Sequence, residues 1–211
     1  MAERRIWDIS QRLHPGLPVW PGDTAFQQVR SWQMEEGASV NVSAITLSTH
    51  SGAHADAPLH YSAGASDIAS VTLEPYLGEC LVVDARSVQG ELQVGDLPHL
   101  HYVDRVLFRT FDSFPRDHWV EDFTAISPDV IHWMAAQGVK LVGTDAPSID
   151  PQNSKEMAAH KAVLAADMRV LEGLVLDDVP QGRYELIALP LPIVGGDASP
   201  VRAILRELAN D

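Results

Sequence analysis

The chain has 211 residues, a formal net charge of −14 at pH 7 and 45% apolar residues. This length and composition predict one folded domain, residues 1–211, with a sizeable core. It contains no run of 18 apolar residues and no cluster of Lys and Arg, so we expect neither a membrane nor a nucleic acid as its partner.

The first ten residues, MAERRIWDIS, do not read as a secretory signal, because Asp8 and Ser10 follow the two arginines too closely for an apolar segment. The one cysteine, Cys80, lies within an apolar run and is expected to be a small buried residue. We therefore expect a cytoplasmic protein.

Short runs rich in Val, Ile and Leu alternate with Gly and Pro along the chain. In chain order they predict strands at 5–9, 25–32, 42–49, 80–84, 105–109, 140–143, 173–176 and 184–189. A helix is predicted from Pro128 to Gly138 with Ser127 as its cap, and a second one over 154–168, capped by Ser154. The C-terminal segment 199–208 fits a helix by its capping and a strand by its neighbours.

The predicted strands outnumber the helices and their order is mixed, which predicts an α/β or α+β domain with a mixed β-sheet. Two long segments, 50–70 and 111–126, have the composition of loops. Long ordered loops in compact domains often carry the functional site.

Residues 50–60 read HSGAHADAPLH, with three histidines and an aspartate at the spacing H-x3-H-x-D-x3-H. Neutral imidazole and carboxylate are ligands that suit Zn, Mn, Fe or Co. Gly52 and Pro58 oppose a helix here, and in an extended backbone His54 and Asp56 point the same way. The stretch therefore predicts a metal site that includes His50, His54 and Asp56.

Further ligands are expected downstream. His160 lies in the second predicted helix. Glu172 adjoins the apolar run 173–176, where a carboxylate is costly unless it is paired or bound to a metal. Five ligands exceed the three that a catalytic zinc normally takes from the protein, so carboxylates shared by two cations are the economical interpretation. His60 is then free to act as a general acid and base.

The stretch 50–60 resembles the H-x-G-T-H-x-D-x-P-x-H motif of the cyclase family of metal-dependent amide hydrolases. The resemblance extends to WDIS at 7–10, PVWPGD at 18–23, GTDAPSID at 143–150, the His160 helix and LPLPIVGGDASPVRAIL at 189–205. PVWPGD and the short chain favour the formamidase branch. The chain departs from the motif at Ala53, where the family has threonine. This puts hydrogen-bonded support of a ligand in doubt, although all the ligands are present.

The resemblance implies a compact fold of the swivelling β/β/α type, a homodimer or higher homo-oligomer, and two zinc ions per chain; Mn, Co and Fe are other metals that such ligands accept. It implies that His50, His54 and Asp56 hold one zinc. The second would be held by Asp56, His160 and Glu172, with Glu172 also touching the first.

The same resemblance makes His60 the proton donor and acceptor and places Trp20 in the substrate pocket. The implied reaction is hydrolysis of N-formyl-L-kynurenine to L-kynurenine and formate, a step of tryptophan catabolism. A zinc-bound hydroxide would attack the formyl carbon, and His60 would protonate the leaving amine.

Three alternatives stay open at this point. The chain could be a cyclase-family amidase acting on another amide, imide or lactone. It could be an iron oxygenase with a triad of His54, Asp56 and His160 and a co-substrate carboxylate at Arg169, although a helical His160 argues against that. It could also be a metal-binding module without turnover, for which Ala53 is the one hint.

The remaining aromatic and titratable residues carry less specific predictions. Asp145 follows an apolar strand and is a candidate for the pocket or for support of a ligand. The segment 195–197, Gly-Gly-Asp, is too short and polar for a phosphate loop. Core or interface positions are expected for Trp7, Trp32, Trp119 and Trp133, and surface positions for His14, His99, His101, His118 and His132.

Overall fold

The computed structural model describes residues 4–97 and 103–209. The predictions for His99 and His101 lie outside these residues. The described strands are β1 (Ile6–Asp8), β2 (Gln27–Trp32), β3 (Val42–Thr46), β4 (His54–Asp56), β5 (Leu77–Asp84), β6 (Glu91–Leu92), β7 (Arg105–Arg109), β8 (Ala125–Ile126), β9 (Leu141–Thr144), β10 (Arg169–Glu172), β11 (Gly182–Ile187), β12 (Ala198–Pro200) and β13 (Ile204–Arg206). The helices are α1 (Pro58–Tyr61), α2 (Pro128–Ala136) and α3 (Ala158–Ala165).

Nine of the described strands form one sheet, in which the strand order is β1-β13-β11-β5-β7-β9-β10-β4-β12. The central strands β5, β7, β9 and β10 run parallel, and the pairs on either side of them are antiparallel. The predicted α/β fold with a mixed sheet is therefore confirmed. Parallel strands buried on both faces consist of nearly continuous apolar residues, as in β7 and β9.

Alternate residues of the central strands enter two different cores. Val106 and Phe108 of β7 pack with α2 and α3 on one face, and Leu107 packs on the other. The core that contains Leu107 also contains Ala55 of β4, Leu186 of β11 and Leu205 of β13. Strands from both ends of the sheet share this core, so the sheet is curled around it.

Two predicted elements are wrong in their positions. The strand predicted at 173–176 lies earlier, at Arg169–Glu172, because Gly173 has a φ of +63° and ends it. The second helix begins at Ala158 rather than 154. The Ser154 hydroxyl accepts a hydrogen bond from the Met157 N–H, outside the helix.

The C-terminal segment resolves as strands rather than a helix. Pro200 of β12 pairs with His54 of β4, while β13 lies between β1 and β11. This pairing brings the C-terminal part of the chain against the strand that carries the predicted metal ligands. In the described part of the chain, none of the helices has the length and apolarity needed to cross a membrane.

Strands β2 and β3 form a separate two-stranded hairpin, and all residues of the two strands are exposed. Its exposed side chains include large apolar ones, namely Val29, Trp32, Val42 and Ile45.

Candidate metal centre

Strand β4 carries the centre of the predicted ligand motif. Gly52 precedes it with a φ of +67°, which glycine adopts without steric cost and which turns the chain into the strand. His54 lies opposite Glu172, the last residue of β10, in the antiparallel pair. The extended backbone predicted for His54 and Asp56 is confirmed, and Ala57 before Pro58 is extended as well.

The carboxylates of Asp56 and Glu172 are buried and face the histidines on two sides. Asp56 Oδ1 lies 3.1 Å from His50 Nδ1 and 3.4 Å from His54 Nε2, while its Oδ2 lies 3.2 Å from His160 Nε2. Glu172 Oε2 lies 3.4 Å from His54 Nε2, and its Oε1 lies 3.4 Å from His160 Nε2. Each carboxylate thus turns one oxygen towards His54 and the other towards His160.

The donor atoms at this point fit a divalent cation. Among the described residues, His54 Nε2 and Asp56 Oδ1 are buried and have no hydrogen-bond partner, which is costly unless a metal or water completes them. Ligand atoms of His54, Asp56 and Glu172 all lie within 4.8 Å of one another, and so do those of His50, Asp56 and His60. Imidazole nitrogens with carboxylate oxygens suit zinc and its neighbours in the first transition row.

Each of the three histidine rings is anchored through one nitrogen and turns the other towards the carboxylates. Such anchoring fixes the tautomer and the ring orientation of a metal ligand. The anchoring contacts are His54 Nδ1 to the Gly52 carbonyl (3.0 Å), His160 Nδ1 to Asp150 Oδ2 (2.6 Å) and His50 Nε2 to Asp197 Oδ2 (3.1 Å).

Asp150 is a residue of the site that the sequence does not single out. Its carboxylate accepts hydrogen bonds from the backbone N–H groups of Ala159 and His160 as well as from the His160 ring. It therefore caps the start of α3 in place of Ser154 and fixes the ring of His160 at the same time. Its position in GTDAPSID, a stretch that carried the family resemblance, was the one clue in the sequence.

The contacts between the histidines and the carboxylates favour protonated imidazoles and ionised carboxylates in this cluster. Burial would lower the pKa of His50, but its contacts with the carboxylates of Asp56 and Asp197 raise it to about 9. The pKa of His160 is likewise raised despite burial, through its bonds to Asp150 and Asp56. Burial would raise the pKa of Asp56, but its contacts with His160 and His50 hold it well below its ordinary range. A cation bound here would displace these protons.

His60 lies on α1 at the rim of the cluster. Its ring centroid is 4.2 Å from that of His50 and 5.9 Å from that of His160. Burial lowers the pKa of its imidazole, so the ring is neutral near pH 7.

A cavity of about 530 Å³ opens over the cluster, and His50, His54, His60 and Glu172 line it. Its volume suits a small organic molecule. Aromatic side chains line it as well, among them Trp20, Trp119, Phe111 and Phe114. Trp20 and Trp119 meet edge to face with their centroids 5.4 Å apart. Trp20 lines the cavity, and so does Trp119, for which a core or interface position is predicted.

Asp145 also lines the cavity, in agreement with its predicted position. Burial raises the pKa of its carboxyl to about 6, even though it accepts hydrogen bonds from the Thr110 hydroxyl and from the N–H groups of Thr110 and Phe111. Through these bonds it holds the segment that brings Phe111 to the cavity.

Other predicted residues lie away from the cluster. Arg169, the co-substrate residue of the oxygenase alternative, donates to Asp167 and to the Met168 carbonyl and does not line the cavity. Ala53 packs in an apolar core, and the carbonyl of Gly52 supports the His54 ring without a hydroxyl at position 53. Cys80 is buried as expected. His14 and His132 are exposed, and the exposed His118 lines the cavity.

Two of the remaining tryptophans pack against the cores, as predicted. Trp7 contacts the core shared by the ends of the sheet, and Trp133 contacts the core beneath α2 and α3. Trp32 is 59% exposed on the β2–β3 hairpin.

Known proteins share this sequence and fold. The family model named Cyclase matches residues 7–151. A kynurenine formamidase of Erythrobacter litoralis is 65% identical over 209 residues, which is 99% of this chain and 97% of that protein. One of Sphingopyxis alaskensis is 55% identical over 207 residues, with 97% and 99% covered. A solved structure described as a potential metal-dependent hydrolase with cyclase activity superimposes with a TM-score of 0.84 at 30% identity and covers 99% of this chain and 100% of its own. These matches show that the chain belongs to the cyclase family.

Proposed function

We propose that this protein hydrolyses the formamide bond of N-formyl-L-kynurenine, giving L-kynurenine and formate, as a kynurenine formamidase. The observation that carries the proposal is the convergence of three anchored histidines on two buried carboxylates at the base of an aromatic cavity. The 65% identity to the Erythrobacter protein over nearly the whole chain supports the same substrate.

We propose further that the centre holds two zinc ions. His50 and His54 would hold one of them, His160 the other, and Asp56 and Glu172 would contribute carboxylate oxygens to both. The orientation of the carboxylates supports this division, since each has one oxygen near His54 and one near His160. When bound, such cations polarise a carbonyl oxygen and lower the pKa of a water molecule towards neutrality.

His60 would move the proton. The leaving group is an aryl amine, which must gain a proton as the C–N bond breaks. The lowered pKa of His60 leaves its imidazole neutral near pH 7, able to take a proton from the attacking water and deliver it to the amine nitrogen. Its place at the rim of the cluster, against the ring of His50, supports this role.

The aromatic side chains of the cavity would hold the aryl ring of the substrate. Trp20 and Trp119 form an edge-to-face pair in the cavity that His50 and His54 also line, and aromatic rings bind one another in offset or edge-to-face geometry. They would also keep bulk water from the reacting carbonyl.

We also propose that the protein is a homodimer or higher homo-oligomer, located in the cytoplasm. The β2–β3 hairpin supports assembly, since Val29 is 63% and Trp32 59% exposed and the pairing of the two strands places both side chains on one face. Contiguous exposed apolar side chains mark interaction surfaces. Val29→Lys with Trp32→Lys should shift the mass measured by light scattering to that of one chain. The control is Val194→Lys, because Val194 is 89% exposed and lies outside the hairpin.

The substrate proposal is tested by steady-state kinetics of the zinc-loaded protein. N-formyl-L-kynurenine should give a higher kcat/KM than formanilide, a cyclic imide or a lactone, and a chelator should abolish the activity. Preference for the imide or lactone would favour the other amidases of the family. Failure to hydrolyse any of them would favour a metal-binding module without turnover.

A further inference from the structure

The turn at 195–197 places a carboxylate beside two histidines of the site. Asp197 Oδ2 lies 3.1 Å from His50 Nε2 and 3.6 Å from His60 Nδ1. The other oxygen of Asp197 accepts a hydrogen bond from the Thr49 hydroxyl at 2.8 Å. The Asp197 side chain is 45% exposed, yet both of its oxygens have defined partners.

The backbone around Asp197 is also fixed. The Ala57 N–H donates to the Asp197 carbonyl, and the Ile68 N–H donates to that of Gly196, both at 2.9 Å. The Gly195 N–H donates to Asp67 Oδ2 at 2.6 Å. The turn is thus tied to the segment that follows β4, so the carboxylate is held at a set distance from the histidines.

His50 can ligate a cation only if the correct nitrogen faces it. Its Nδ1 is 3.1 Å from Asp56 Oδ1, and its Nε2 faces Asp197. A carboxylate that accepts the N–H of one ring nitrogen leaves the lone pair of the other for a metal. Without Asp197, the described contacts of the His50 ring would leave its orientation to Asp56 and to ring packing alone.

We propose that Asp197 is a positioning residue for His50, whose ring it holds so that Nδ1 faces the cation bound by His54, Asp56 and Glu172. This inference rests on the proposed metal centre. The ring of His60 packs against that of His50 with a centroid distance of 4.2 Å, so Asp197 also fixes the place of the proposed proton carrier. Asp150 holds the ring of His160 in the same way, but Asp150 is buried, whereas the Asp197 side chain is partly exposed to solvent.

The test is metal binding by Asp197→Ala, measured by competition with a chromogenic chelator using zinc alone. We expect one of the two zinc ions to bind about 10- to 100-fold more weakly, because loss of a carboxylate behind a ligating histidine has effects of that size. The affinity for the second ion, on the His160 side, should not change. The kcat for N-formyl-L-kynurenine should fall as well.

Two further variants keep the test decisive. Asp197→Ser retains a polar side chain on the turn but is too short to reach His50, so it should lose the same affinity if the alanine variant does not fold. Asp67→Ala removes a carboxylate that holds the same turn without touching either histidine, and it should bind both ions as the wild type does.

Wild-type affinity for both ions in a folded Asp197 variant would overturn the proposal. An equal loss in Asp67→Ala would also overturn it, by assigning the effect to the turn. Because zinc affinity is read without substrate, a wild-type chain that binds both ions but leaves N-formyl-L-kynurenine intact would contradict only the proposed function.

Discussion

His60 differs from the other histidines of the cluster, because its side chain is the most exposed of the four, at 29%, and its contact with Asp197 is 3.6 Å long. We expect His60→Ala to retain both metals and to lose turnover by about 10²- to 10⁴-fold, the usual contribution of general acid and base catalysis. Metal content and kcat are measured on the same sample. Loss of one metal would make His60 a ligand instead, which its proximity to His50 and Asp56 would then explain.

Asp150 connects helix α3 to the ring of His160. Asp150→Ala should weaken the metal site on the His160 side by about 10- to 100-fold and destabilise the fold by about 1 kcal/mol through loss of the helix cap. Zinc competition and urea unfolding measure the two effects. Ser154→Ala is the matched control, because Ser154 bonds only to the Met157 N–H before the helix. Equal losses in both variants would show that Asp150 has no special role.

For single residues, the sequence predicts site side chains that lie close together in one motif. It does not predict side chains that come to the site from distant parts of the chain. His50, His54, Asp56 and His60 share eleven residues, and their chemistry marks them out. Asp197 lies 147 positions from His50, so its role depends on the pairing of β12 with β4. Local spacing contains no information about that pairing.

The turn that follows β10 fixes the position of Glu172, the last residue of that strand. Gly173 has a φ of +63°, and a Cβ added there would lie 2.6 Å from the Gly52 carbonyl oxygen. Gly173→Ala should destabilise the protein by about 1 to 3 kcal/mol, because both the backbone and the neighbouring turn must shift. It should also weaken metal binding, since Gly52 precedes His54.

Gly138→Ala is the matched control for that variant. Gly138 also has a positive φ, of +88°, but a Cβ there meets nothing within 4 Å. The free energy of unfolding, measured with urea, should fall only by the backbone strain of alanine at this φ. The metal affinity of the variant should equal that of the wild type. A similar cost for the two variants would contradict the steric argument.

The same turn explains why the strand predicted at 173–176 lies at Arg169–Glu172 instead. The run LEGLVL at 171–176 is apolar on both sides of the glycine, so composition alone does not say which side is the strand. The turn conformation of Gly173 decides it. Short strands such as β4 and β12 likewise depend on pairing across the sheet, whereas the Ser127-capped helix has a local cap and was predicted well.

For the whole molecule, stability should depend on pH through Asp145. Its folded pKa of about 6 exceeds the ordinary value of 3.8, so the folded state holds the proton more tightly than the unfolded state. The stability it contributes is present below about pH 4 and is lost as the pH rises to about 6. The loss amounts to about 3 kcal/mol.

Asp145→Asn should remove this dependence. Its hydrogen bonds to Thr110 and Phe111 change as well, which adds an offset that does not vary with pH. The measurement is therefore the difference in unfolding free energy between wild type and variant, taken from pH 4 to pH 7. A difference that stays constant over this range would contradict the raised pKa.

The curled sheet brings ligands from β4, α3 and β10 to one point, and the most direct test is to locate the metals there. A crystal of the zinc-loaded protein, measured at the zinc absorption edge, should show two anomalous peaks between Asp56 and Glu172, one beside His50 and His54 and the other beside His160. A single peak, or peaks away from these five side chains, would contradict the assignment.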